Sequence, residues 1–176
     1  MGVRLRSHGI SSCLVLAVSL NLYFVPVART LRIPDSPDLA QTIPNIPGIW
    51  TAARASSLRT AAETLLLEAA GEGIDGMTAV GEVIRNRARL FGMNVRDVCL
   101  KPYQFSGWND RAEARAFLKN HRRYYAFAVE AWRRSASSDL THGATEYHAS
   151  SIQPWWSKYY SESARIGRHV FYRRES

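Results

Sequence analysis

The sequence predicts a mainly α-helical domain of α+β class, with a small β-hairpin or extended lobe at its C-terminal end. Three observations predict it. Apolar residues recur at three-and-four spacing between Leu58 and Trp132. After Ser135 the chain changes to short aromatic and β-branched pieces punctuated by Gly143, Pro154 and Gly167. The length, 176 residues, suffices for one domain with a real core.

In chain order, the basic stretch MGVRLRSHG precedes an uncharged, mostly apolar run that reaches Ala28, so residues 1–28 read as an export segment. Ser11, Ser12, Ser19 and Asn21 make the run only weakly apolar, and Pro26-Val27-Ala28 is a mediocre cleavage site, which leaves signal peptide and membrane anchor both open. The quartet Ile10 to Cys13 does not serve as a lipoprotein box, because the apolar run follows the cysteine instead of preceding it. Residues 29–48 hold four prolines and no sustained periodicity, the composition of a linker. The domain proper is therefore residues 49–176.

Within it, Leu58, Ala61, Ala62, Leu65, Leu66 and Ala69 predict a helix with Ser56 or Ser57 as N-cap and Gly71 as terminator. A second helix is expected from Gly76 to Arg89, capped by Asp75, with Met77, Val80, Ile84 and Ala88 inward. A third is expected from Arg111 to Trp132, with Phe117, Leu118, Tyr124, Ala128 and Trp132 as its apolar positions. The pieces ATEYHA and HVFYR read as the extended lobe.

The formal charge of +8 draws the chain to an anionic partner: nucleic acid, a membrane surface or an acidic wall polymer. The export segment argues against nucleic acid, and the basic runs His121 to Tyr125 and Trp132 to Arg134 read as the solvated face of a helix. Cys13 lies in the export segment and Cys99 stands alone, so no intramolecular disulfide is available and the fold must hold by packing.

One acid stands out. At about 100° per residue, Glu68 falls beside Ala61 at the edge of the apolar stripe, whereas Glu63 lies on the far, solvent face. Desolvation by the leucines and the negative end of the helix dipole both favour a protonated Glu68 carboxyl, as a general acid requires. The competing role for this residue is a boundary glutamate paired with an arginine.

The segments LEAAGEGIDGMTAVGEVIRNR, YQFSGWND, GATEYHA, PWW and IGRHVFYR, in this order over about Leu65 to Arg173, resemble the bacterial and phage cell-wall hydrolase family of the spore-cortex-lytic type. The resemblance implies a goose-lysozyme-like fold that cuts peptidoglycan glycan strands. It also implies that Glu68, the first glutamate of E-A-x-G-E, is the catalytic acid, the residue that the helical wheel selects independently. The predicted function is thus muramidase or lytic transglycosylase. Gln104, Phe105, Trp108, Tyr147, His148, Trp155, Trp156 and Tyr172 are the candidate substrate-binding residues, since flat aromatic faces suit sugar rings and an amide suits an N-acetyl group. Glu72 is expected to cap a turn or orient a loop. The chain departs from the family pattern at Glu146, where related sequences often carry histidine; with Asp75 and Asp110 it is a candidate second carboxylate.

Three other readings compete. A zinc amidase built on His142, His148, His169 and Glu146 lacks a compact H-E-x-x-H pattern, so no metal and no cofactor are expected. A non-catalytic peptidoglycan-binding module would not need Glu68. A nucleic-acid binder is disfavoured as above. The expected partners are peptidoglycan glycan strands and, through an uncleaved N-terminal segment, the membrane; the expected state is an exported monomer, periplasmic or extracellular.

Overall fold

The computed structural model describes residues 52–174, so the export segment and the proline-rich linker lie outside the described residues. Five helices come first: α1 (Ala52–Ala69), α2 (Gly73–Phe91), α3 (Val95–Leu100), α4 (Arg111–Asn120) and α5 (Tyr125–Arg134). Three strands follow, β1 (Glu146–Ala149), β2 (Ser161–Ile166) and β3 (His169–Arg173), forming an antiparallel sheet in the order β1-β3-β2. The mainly helical fold with a small sheet lobe is as the sequence predicts. None of the described helices is long and apolar enough to cross a membrane.

The helix α1 is central, packing on α2, α3 and α5. Its predicted apolar stripe does the packing: Ala62, Leu65, Leu66 and Ala69 are buried with Met77, Val80 and Ile84 of α2 and Ala128 and Ala131 of α5. At about 25 cal/mol per Å² of buried apolar surface, this core is the main stabilising term. A smaller cluster, Ala79 and Val83 with Ala144 and Phe171, fastens the sheet to the back of α2.

Several boundaries differ from expectation. α1 begins at Ala52, so Ser56 and Ser57 lie inside it, and the Ser56 carbonyl accepts a hydrogen bond from the Thr60 hydroxyl. α1 ends at Ala69, two residues before Gly71, and passes into a 3-10 turn over Ala70–Glu72; the positive-φ residue at the junction is Gly73 (φ 72°), with which α2 opens. Asp75 falls within the first turn of α2 and pairs with Arg134 instead of capping. The predicted long third helix is broken at His121, whose backbone leaves the helical region (φ −109°) while its ring stacks on Phe117 and bonds the Phe117 carbonyl. The short α3, capped by the Asn94 side chain, has too few residues to show a period. The strand β2 reads SESARI, with too little apolar alternation to be recognised.

Candidate active site

The site is built where the C-terminal end of α1 meets the loop before α4 and the strand β1. Glu68 Oε1 accepts hydrogen bonds from the Gly107 backbone N–H at 2.8 Å and from the Ser106 hydroxyl at 3.3 Å. Its Oε2 accepts one from the Tyr147 hydroxyl at 2.9 Å. One turn earlier, the buried Thr64 accepts the indole N–H of Trp108 at 2.9 Å, which anchors the same loop to the same helix. Gly107 permits this close approach: a Cβ there would lie 2.5 Å from the Leu67 Cβ and 3.3 Å from Glu68 Oε1.

These contacts settle the electrostatics of the carboxyl. Desolvation pushes the Glu68 pKa up; the hydrogen bonds from Gly107, Tyr147 and Ser106 and the field of Arg87 oppose it, and desolvation prevails. Glu68 forms no ion pair among the described residues, so the arginine-paired boundary role is not what the geometry displays. The Tyr147 hydroxyl is held far above its ordinary range, first by burial and then by the neighbouring Glu68 charge, so it stays a donor. Its ring is wedged between Phe171 and His169.

Four residues on, Glu72 has the opposite environment. Burial disfavours its charge, but the Arg168 guanidinium and backbone N–H outweigh it and hold the carboxyl below the ordinary glutamate range. Its Oε2 lies where a Cβ at Gly167 would fall, 2.2 Å away, so the β2–β3 turn closes directly onto the acid. Glu72 orients a loop. Two glutamates on adjoining turns are thereby driven apart in pKa, which is the pattern of divided roles.

The other predicted residues divide by sheet face. Strand alternation turns Tyr147 with Phe171 and His169 toward the helices and Glu68, and turns Glu146, His148, Val170 and Tyr172 to the opposite face. There His148 stacks on Tyr172 and bonds its hydroxyl at 3.0 Å, and Trp156 meets both edge-on. His148 and Tyr172 are buried by this packing, so they present little surface to a ligand. Trp155 is 56% exposed and meets the Tyr159 ring edge-on, in the 3-10 turn Trp155–Tyr159. Phe105 is a core residue, 1% exposed, with the Arg87 guanidinium 5.3 Å over its ring. Gln104 is half-buried and its side chain engages no partner among the described residues. Trp108 and Tyr147 are thus the predicted aromatics brought together with Glu68.

Trp108 also borders a hollow of about 210 Å³ with Tyr103, Lys101 and Arg111. Tyr103, 62% exposed and held at φ 65°, was not singled out by the sequence, nor were Thr64, Ser106 and Gly107 as the partners of Trp108 and Glu68. A much larger cleft of about 860 Å³ lies elsewhere, between the second half of α2 and the loop after α5.

The candidate second carboxylates are committed. Asp110 caps α4, accepting the Ala112 and Glu113 N–H groups; Asp75 pairs with Arg134; Glu146 lies between Arg87 and Arg174. The imagined zinc ligands do not converge: His148 and His169 face opposite sides of the sheet, His142 is exposed on a loop, and no group of three or more suitable side chains meets among the described residues. Burial pushes the Cys99 thiol up to about 12, which removes it as a nucleophile.

Two solved structures share this fold. The catalytic domain of the germination-specific lytic transglycosylase SleB from Bacillus anthracis matches with a TM-score of 0.54 and 21% identity, over 73% of this chain and all (100%) of that one. The catalytic domain of the Bacillus cereus SleB protein matches with a TM-score of 0.53 and 20% identity, over 76% of this chain and 99% of that one. The likeness shows a lysozyme-like architecture, and the class of the protein is that of the peptidoglycan hydrolases. Within that class, the chain belongs to the cell wall hydrolase family, whose model matches residues 71–172. Glu68 lies just upstream of the matched span, so its role rests on geometry. No curated protein matches the chain.

Proposed function

We propose that the protein cleaves peptidoglycan glycan strands at the MurNAc-GlcNAc bond, as a muramidase or lytic transglycosylase, with Glu68 as general acid. The observation that carries this reading is the clamp on Glu68: a half-buried carboxyl with raised pKa, in no ion pair among the described residues and held by a backbone N–H and two hydroxyls. A carboxyl offers about four acceptor sites. Gly107 and Ser106 occupy Oε1 and Tyr147 occupies one site of Oε2, which leaves the acidic proton on the other side of Oε2.

That proton passes to the glycosidic oxygen as the bond from the muramyl C1 to that oxygen breaks. With Asp75, Asp110 and Glu146 all engaged, the same carboxylate is the available base for the second half of the reaction. It takes a proton either from water, giving a reducing end, or from the muramyl 6-hydroxyl as that oxygen bonds to C1, giving an anhydro end. The name of one structural neighbour, the lytic transglycosylase from Bacillus anthracis, favours the second course. Trp108 and Tyr147 flank the acid and are the aromatic surfaces nearest the reacting bond; Tyr103 and Gln104 extend the groove. This activity implies work in the periplasm or outside the cell, with residues 1–28 as signal or anchor and the domain acting as a monomer.

Mass spectrometry of muropeptides released from purified sacculi tests the proposal. Disaccharide peptides with anhydro or reducing muramyl ends are expected. Free stem peptides with intact glycan would mark an amidase and overturn it.

A further inference from the structure

The large cleft between α2 and the loop after α5 contains none of the groups of the Glu68 clamp. Its charged lining is Arg85, Arg89 and Arg173 with His142 on one side of the balance, and Glu82 and Asp139 on the other. Glu82 is turned inward and satisfied, whereas the Asp139 side chain is exposed and is engaged by its own loop. Glu82 is 4% exposed and accepts the Leu140 and Thr141 N–H groups and the Thr141 hydroxyl. Asp139 accepts the Gly143 N–H and lies 3.8 Å from His142.

The arginines are not neutralised. Arg85 is held in place by the Ser135 hydroxyl, the Trp132 carbonyl and the Trp132 ring, and none of these carries charge. Among the described residues Arg89, one turn on, bonds the neutral Asn86 side chain, and Arg173 has no side-chain partner. Like charges four residues apart on a helix repel. Burial, and then Arg89, lower the Arg85 pKa accordingly. Three guanidinium groups around one cleft, none in an ion pair among the described residues, are complementary to oxyanions held in bidentate fashion. At about 860 Å³ the cleft is far larger than a single oxyanion requires, and hydroxyls of Ser135, Ser137 and Ser138 line its wall.

We infer that this cleft is a second substrate site that binds the carboxylate-bearing peptide stem of peptidoglycan through Arg85, Arg89 and Arg173, apart from the glycan groove at Glu68. The inference rests on the glycan-strand reading, since a strand lying along Glu68 carries a peptide on its muramyl residues. It explains why the fold keeps three like charges together: the stem supplies the missing anions and orients the strand. Phosphate groups share the same chemistry, so the test separates the two sources.

Binding of synthetic L-Ala-D-Glu-diaminopimelyl-D-Ala, and separately of inorganic phosphate at equal ionic strength, is measured by calorimetry and by amide NMR shifts. The proteins are the wild type, R89Q/R173Q, and R115Q/R122Q as a charge-matched control outside the cleft. Arg89 and Arg173 are exposed and have no charged partner among the described residues, so their removal should leave the fold intact; melting verifies this. Saturable peptide binding with shifts at Asn86 and Ser135 to Ser138, weakened about tenfold or more in R89Q/R173Q and unchanged in the control, is the expected result. No peptide binding, equal binding by both variants, or phosphate matching the peptide mole for mole would each overturn it. None of these outcomes depends on turnover, so failure here leaves the Glu68 assignment standing, and failure of that assignment leaves the binding result to be read by itself.

Discussion

Replacing Tyr147 by Phe removes one oxygen from the clamp and little else. The ring stays between Phe171 and His169, whose contacts with it are with the aromatic face and edge. What disappears is the 2.9 Å hydrogen bond to Glu68 Oε2. A hydrogen bond to an ionised group is worth about 1.5–3 kcal/mol, and it favours the charged form of the acid. One pH unit corresponds to about 1.4 kcal/mol, so the pH at which Glu68 loses its proton should rise by about one unit or more. Activity of a general acid falls as pH climbs through its folded pKa, so the alkaline limb of the rate profile should shift upward in Tyr147→Phe. Dye release from labelled peptidoglycan, followed from acid to alkaline pH, reads this directly. A uniform loss of rate with no displacement of the limb would refute the reasoning, because it would mean that the hydroxyl positions the site without tuning the acid.

Other consequences are testable with simple variants. Gly107→Ala drives a methyl against Leu67 and Glu68, so activity should drop sharply with a stability loss of about 1–3 kcal/mol; a crystal structure with the loop unmoved and full activity would contradict the close-approach argument. Glu72→Gln should cost about 1–3 kcal/mol near neutral pH by freeing Arg168. Because the folded pKa of Glu72 is depressed, its contribution is present above the ordinary glutamate range and lost as pH falls through the depressed value, so melting curves of the variant and wild type should converge in acid. Binding to sacculi should weaken with added salt, since a charge of +8 acts partly through screened attraction, and salt-independent sedimentation would remove the basic surface from substrate capture.

The helical part of the fold was legible because its apolar stripe obeys one period from Leu58 to Ala69 and again through α2. The break at His121 was not, since a histidine leaving helical geometry to stack on Phe117 is a tertiary event that leaves no mark on a sequence pattern. Glu68 was legible as a carboxyl at the margin of an apolar face. Its partners were not: Gly107 serves through a backbone N–H, which any residue carries, and its identity matters only for the room it leaves against Leu67. The aromatic residues show the limit most plainly. Tyr147 and His148 are adjacent in sequence and equally attractive to the eye, yet the two-residue period of β1 sends one to Glu68 and the other into the packing beneath Trp156. The sheet could assign those faces only once its register with β3 was known. Glu72, expected to cap a turn or orient a loop, bonds Arg168, a residue 96 positions away that no local pattern could pair with it.

If the Glu68 carboxyl delivers the proton that breaks the glycan strand, as proposed, Glu68→Gln removes the reaction's acid. Glutamine keeps the size of the side chain and an oxygen to accept the Gly107 N–H, but it cannot donate an acidic proton. Glu63→Gln, on the same helix in a surface pair with Arg59, is the control. Dye release from labelled peptidoglycan and thermal melting are measured for the wild type and both variants. A rate loss of about 10²- to 10⁴-fold is expected for Glu68→Gln with the fold retained, and near wild-type rate for Glu63→Gln. Retention of more than about a tenth of wild-type activity by Glu68→Gln, less than general acid catalysis ordinarily supplies, would contradict it and leave the acid at the end of α1 a structural residue.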